Sequence, residues 1–157
     1  MWMTRFLVRA AFVPSLTAET RDDAIREMVA ALAAAGAVEA VNADDIVAAV
    51  LRREQLGSTG IGNGVAIPHS RHPSVDRLIG TLALTKRAGG LPFDAIDGEP
   101  VYGMVLLVSP QDQPGPHLRA LDSVVCAFRD GTLLPRLRAC ETADQMWELV
   151  SEERESR

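Results

Sequence analysis

The sequence predicts an α/β fold: one domain built on a mixed β-sheet with helices on both faces. Three observations carry that reading. Apolar runs of strand length alternate with stretches of helical periodicity along the chain. At 157 residues the chain is long enough for one sizeable core and too short for two ordinary ones. Its 47% apolar and 24% charged residues are normal for a globular protein, and no internal repeat, low-complexity tract or linker divides it.

The elements follow in order. Residues 6–13 read as a first strand. Thr20 is placed to cap a helix with apolar positions Ala24, Ile25, Met28, Val29 and Leu32, and Gly36 is a natural stop. A second helix starts after Asn42 and runs to about Arg53, with Ile46, Val50 and Arg53 on one face. Residues 65–67 form a short buried strand. Residues 78–84 and 101–109 are further strands, and between them Gly89, Gly90, Pro92 and the Asp97–Gly98 pair mark turns. Pro116 suits the first position of a helix with apolar positions Leu118, Leu121, Val125 and Phe128. Residues 151–157 are highly charged and expected to fray.

Composition narrows the function. A net charge of −5 argues against a nucleic-acid role. No apolar run approaches the roughly 20 residues needed to span a bilayer, so no direct membrane insertion is expected. Arg5, Arg9 and the apolar stretch 10–13 faintly suggest a signal peptide, but Pro14 interrupts the run; the chain reads as cytoplasmic. Cys126 and Cys140 form no metal or redox motif and read as small buried apolar residues rather than a disulfide.

The most informative segment runs from residue 53 to residue 69. Arg53 ends the second helix. A loop rich in glycine and hydroxyls follows, then a short apolar run that delivers His69. Glycines allow φ > 0 and bring backbone N–H groups close to a ligand. Ser58 and Thr59 add hydroxyl donors. Arg53 can meet a phosphoryl group with two parallel hydrogen bonds. As a helix-end arginine favoured by the macrodipole it would need no further role; the loop beyond it supplies one. Pro68 fixes its own φ and biases Ile67 to extended geometry, which constrains how His69 leaves the strand. A neutral imidazole is a competent nucleophile near pH 7. Nucleotide motifs do not fit. The G-x-G-x-x-G started by Gly60 and Gly62 ends in Val65, and the Walker spacing of Gly57 and Gly62 is followed by Asn63.

A second element precedes the helix at Pro116. His117 falls in its first turn, where free N–H groups and the positive dipole end favour an anion. On position alone it could equally be a surface histidine that helps start the helix. His69 and His72 have H-x-x-H spacing, but Pro68 and Pro73 oppose a continuous helix and no nearby Cys or carboxylate completes a ligand set, so no metal is expected. No G-x-S-x-G elbow supports a serine hydrolase.

These residues resemble the active-site signature of the enzyme IIA domains of the bacterial phosphoenolpyruvate-dependent sugar phosphotransferase system. The branch is the fructose/mannitol type, which includes the nitrogen-regulatory IIA proteins. Its arginine-glutamate pair and T-G-I-G-x-G-(I/V)-A-I-P-H run match Arg53, Glu54 and residues 59–69 without a gap. Looser blocks match at residues 93–98, at Ser109 and Pro110, and at His117 and Leu118, so the resemblance covers residues 10–152 of a single IIA type-2 domain spanning 1–157.

The resemblance implies a phosphocarrier. His69 matches the histidine that accepts a phosphoryl group from the phosphocarrier protein HPr, through Nε2. His117 matches a second histidine that helps hold the phosphoryl group, and Arg53 the arginine of the same pocket. Ser58 or Thr59, with backbone N–H groups of a loop containing Gly60, Gly62 and Gly64, would hold the remaining oxygens. No metal or nucleotide cofactor is implied. Two recipients stay open: a IIB domain that phosphorylates a sugar, or a regulatory target that reads the phosphorylation state. The lack of an evident IIB segment or membrane domain leans slightly to regulation. The alternative is a binding module that keeps the pocket without active transfer.

Overall fold

The computed structural model describes residues 2–153. It begins not with a strand but with two 3₁₀ turns, Met3–Arg5 and Arg9–Ala11. The expected strand over 6–13 survives only as two isolated parallel bridges to the sheet, Leu7 with Gly80 and Val13 with Ala83. The reason lies between them. Arg9, Ala10 and Ala11 carry no β-branched side chain to favour extension. The turn buries Ala11 and sends Arg9 outward, over the Trp147 ring and onto Asp144. The Thr81 hydroxyl donates to the Ala11 carbonyl at 2.6 Å and holds the turn down.

Helix α1 (Arg21–Ala34) begins where expected: Thr20 accepts the Asp23 N–H at 3.1 Å. Ala24, Ile25, Met28, Val29 and Leu32 are all buried, and Gly36 ends the helix with φ +79°. Helix α2 (Ala43–Gln55) buries Ile46, Val47, Val50 and, at its last turn, Glu54. Two short strands follow as a hairpin, β1 (Gly60–Gly62) and β2 (Val65–Ala66). Strands β3 (His69–Arg71), β4 (Ile79–Leu84) and β5 (Gly103–Ser109) complete a mixed sheet.

Strand β5 is the spine. Strands β2 and β3 lie parallel to it at residues 103–104 and 107–109, with Pro68 between them accepting the Leu107 N–H. Strand β4 pairs with it antiparallel from Ile79↔Val108 to Leu84↔Gly103. Side-chain alternation splits the core. Met104, Leu106 and Val108 pack with α1 and α2; Val105 and Leu107 pack with helices α3 (Pro114–Phe128), α4 (Leu133–Arg138) and α5 (Ala143–Glu152).

Helix α3 departs from expectation. Pro114, not Pro116, is its first residue, because both prolines can sit in a first turn whose N–H groups lack intrahelical partners. Its buried stripe is His117, Ala120, Val124 and Phe128, while Leu118 is 65% exposed. A histidine and an alanine hold inward positions that a large apolar pattern assigns to their neighbours. Both cysteines are free, Cys140 buried and Cys126 half-buried. No helix among the described residues is long and apolar enough to cross a membrane. Helix α5 runs to Glu152, and residues 154–157 of the expected fraying tail lie outside the described residues.

Gly80 gives the packing a direct test. A Cβ there would lie 2.7 Å from the Leu106 carbonyl oxygen and 2.8 Å from Leu107 Cδ2. Gly80→Ala is expected to cost about 1–3 kcal/mol in urea unfolding through overpacking. A loss below about 0.5 kcal/mol would show that β4 and β5 can move apart cheaply.

Candidate functional site

The site is organised from the end of α2. Glu54 is 2% exposed, yet both carboxylate oxygens are satisfied by one residue: Oε1 accepts the Thr59 hydroxyl at 2.6 Å and Oε2 the Thr59 N–H at 2.9 Å. Such charge-assisted bonds are about twice as strong as neutral ones. Arg53 Nη1 donates to the Gly57 carbonyl at 3.0 Å, which ties the last turn of α2 to the first residues of the loop beyond it. The Ser58 hydroxyl donates to the Phe93 carbonyl and accepts the Gly60 N–H at 3.0 Å. In this structure the hydroxyl protons of Ser58 and Thr59 are therefore both committed within the protein.

The glycines serve the hairpin that carries the chain to His69. Asn63 and Gly64 have φ +57° and +81°, the left-handed pair that a two-residue type I′ turn requires. The Asn-Gly step is itself a strong sequence sign of such a turn, and the sequence reading passed over it. Asp97 fastens the turn from outside, accepting the Asn63 N–H at 3.1 Å and the Glu99 N–H at 3.0 Å. Those two bonds hold its carboxyl below the usual carboxylate range. A Cβ on Gly60 would lie 2.7 Å from the Ala95 Cβ, and the Gly64 carbonyl accepts the N–H groups of Tyr102 and Gly103.

His69 opens β3, opposite Leu107. Its Nδ1 lies 2.7 Å from the Ile67 carbonyl. A carbonyl only accepts, so Nδ1 carries the proton and Nε2 is left with its lone pair. Burial pulls the His69 pKa below its ordinary value; the Ile67 bond works upwards, the Arg53 charge downwards and the Glu54 charge upwards. The ring stays neutral at pH 7.

His117 faces it from α3. The two ring centroids are 5.2 Å apart, edge to face at 61°. His117 is 8% exposed, and its Nδ1 lies 2.6 Å from Ser109 Oγ at the end of β5. Burial, then the charges of His69 and Arg71, push its pKa down to about 4. Its backbone N–H is already used, donating to the Gln113 carbonyl, because the helix starts earlier than the sequence suggested.

The structure thus brings His69 and His117 together, with Arg53 close enough to be felt at His69. Three contributors went unassigned in the sequence reading. Glu54 was matched without a role. Arg71 sits two residues past His69, on the same face of β3 and within electrostatic reach of His117. Ser109 was matched, with Pro110, as the end of a strand but given no role. His72 stands apart from the pair. It is buried, with Nε2 against Asp45 and Nδ1 accepting the Ser74 N–H, and it ties the end of β3 to the start of α2. No group of three or more His, Cys, Asp or Glu among the described residues could hold a metal ion.

The family model described as phosphoenolpyruvate-dependent sugar phosphotransferase system, EIIA 2, matches residues 6–153. The chain belongs to this EIIA 2 family. It is 30% identical over 151 residues to a nitrogen regulatory protein of Bradyrhizobium diazoefficiens, covering 96% of this chain and 95% of that one. The crystal structure of nitrogen regulatory protein IIA-Ntr from Neisseria meningitidis superposes with a TM-score of 0.82 at 27% identity, covering 93% of this chain and 97% of the other. The complex of enzyme IIA mannitol with phosphorylated enzyme IIB mannitol from Escherichia coli shares the fold, with a TM-score of 0.70 at 22% identity over 90% of this chain and 94% of that one. The chain spans 63–64% of the length of several other nitrogen regulatory proteins it matches.

Two outcomes check this EIIA 2 site. Ring ¹⁵N NMR titration should find His117 neutral down to about pH 4 and His69 titrating below 6.5. Because these histidines bind protons less readily folded than unfolded, their contribution to stability is complete above about pH 6.5 and is lost as pH falls towards 4. A His117 midpoint above 6.5 would contradict the buried geometry. Separately, Glu54→Ala leaves the Thr59 N–H and hydroxyl without their acceptor and should cost roughly 1–3 kcal/mol in denaturant unfolding. An unchanged midpoint would mean that Glu54 does not hold the loop.

Proposed function

We propose that this EIIA 2 domain is a phosphocarrier that accepts a phosphoryl group on His69 Nε2 from a phosphohistidine of an HPr-like protein. The observation that supports this most is the His69–Ile67 bond. It keeps the proton on Nδ1, frees the Nε2 lone pair for in-line attack and leaves a carbonyl to stabilise the charge that Nδ1–H acquires. As the new P–N bond forms, the donor imidazole leaves with the electron pair of the old one. Little else is needed beyond positioning and charge neutralisation. Arg53 and Arg71 supply positive charge, and His117 a neutral donor. Arg53 would exchange its Gly57 carbonyl for a phosphoryl oxygen.

The recipient is a IIB-type domain or a regulatory target, and the near full-length likeness to nitrogen regulatory proteins favours the regulatory use. Three exposed apolar side chains offer area for a docking protein: Leu56 after α2, Ile96 beside the hairpin and Leu118 next to His117. Such relays operate in the cytoplasm, which is the placement this reading carries.

The test is phosphotransfer in vitro with phosphoenolpyruvate, enzyme I and HPr. An acid-labile gain of one phosphoryl group on His69, abolished in His69→Ala, is the expected result. Replacing His117 by alanine should slow transfer by about 10²–10³-fold while His69 remains the acceptor. No gain on folded protein with several HPr sources would leave a binding module that retains the pocket without the relay.

A further inference from the structure

A neutral imidazole has one N–H, and which nitrogen carries it decides what His117 can do. Its Nδ1 touches only one hydroxyl, Ser109 Oγ at 2.6 Å, and Ser109 is fully buried. Two arrangements satisfy that distance. If Nδ1–H donates to Ser109, the serine's own proton needs another acceptor, and among the described residues Ser109 Oγ has no other hydrogen-bond partner. If Ser109 donates to Nδ1, the remaining donor is the His117 Nε2–H, and Nε2 is not among the buried atoms that lack a partner, so it can meet solvent in the pocket. Buried donors without acceptors are rare because they lose their water and gain nothing. The second arrangement is therefore the stable one, and it leaves the proton on Nε2.

We propose that Ser109 is a positioning residue that holds His117 as its Nε2–H tautomer, so that His117 presents a neutral N–H donor to a phosphoryl group on His69. This rests on the phosphocarrier reading. With Nδ1 turned to Ser109, Nε2 is the nitrogen left for the pocket shared with His69. The opposite tautomer would point a lone pair at anionic oxygens. A charged imidazolium would bind them more tightly than a transferable group allows, and the burial of the ring works against that charge. Ser109 is well fixed for the task. It pairs with Arg71 across the sheet, and its carbonyl accepts the His72 N–H at 2.9 Å.

The experiment is ring ¹⁵N NMR of the unphosphorylated chain at pH 7, alongside initial rates of phosphotransfer from phospho-HPr. Wild type should show His117 protonated at Nε2 and bare at Nδ1. Ser109→Ala should move His117 to a tautomer mixture and slow transfer about tenfold, with His69 still the acceptor. Ser109→Thr should restore both readouts. A wild-type spectrum with the proton on Nδ1 overturns the proposal even if no variant folds. So does a Ser109→Ala protein with unchanged tautomer and rate. If wild type accepts no phosphoryl group, the phosphocarrier reading fails and takes the purpose of this tautomer with it. Transfer with an Nδ1–H spectrum sinks the Ser109 assignment alone.

Discussion

Three backbone pairs hold the site together: His69 with Leu107, Ser70 with Val108, and Arg71 with Ser109. Because β3 runs parallel to β5 in this register, the histidine with a free Nε2 and the serine that meets His117 end up on neighbouring strands. A slip of one residue would turn His69 to the opposite face of the sheet. The register is defended from both sides. Pro68 breaks β2 from β3 but still offers its carbonyl to Leu107, and the His72 N–H binds the Ser109 carbonyl just beyond the last pair. Strand β5 is buried along its whole length, so the packing of both core layers resists any shift.

The loop before β1 answers a different constraint. A buried carboxylate is costly unless its oxygens are bonded, and Thr59 alone satisfies both oxygens of Glu54. That arrangement converts a flexible glycine segment into a fixed entry to the hairpin. It also places a negative charge next to the arginine that precedes it in sequence. The two act on His69 in opposite senses, and burial, the largest influence, outweighs the Ile67 bond and sets the downward direction of its shift. An arginine without the glutamate would depress the histidine further; a glutamate alone would favour the protonated ring, which cannot attack.

Local signals were legible where one residue type has one physical use. Thr20 as a cap, Gly36 as a stop and the apolar stripe of α1 follow from chain-local chemistry and stand in the structure as read. Strands β4 and β5 lie within one or two residues of their expected ends, since long apolar runs between turn residues have few other uses. The misreadings share a cause in contacts distant along the chain. Residues 6–13 are bent by Thr81 and Asp144, which no local pattern reveals. Helix α3 turns inward a histidine whose partner, Ser109, belongs to another element. The adjacent Arg53–Glu54 pair was legible as a signature, but the task of Glu54 was not, because the partner of its carboxylate, Thr59, is reached through a loop.

In the proposed relay, the pairing of two neutral histidines with arginines would answer a central difficulty. A carrier must hold a doubly charged group long enough to find its recipient, yet bind it weakly enough to release it. Full positive charge on both imidazoles would make a deep trap, since attraction between charges grows as water is excluded. Here burial works against charge on both rings, and compensation of a phosphoryl charge would fall to guanidinium groups nearer the solvent. Arg53 already has an acceptor in the Gly57 carbonyl, so engaging a phosphoryl group would cost it that bond. The net gain would be smaller than the bare ion pair gives, and the same exchange would free the Gly57 carbonyl in the loop just past α2. Phosphorylation at His69 would thus be felt at Gly57 and the exposed Leu56 beside it, which is where a partner could tell the two states apart.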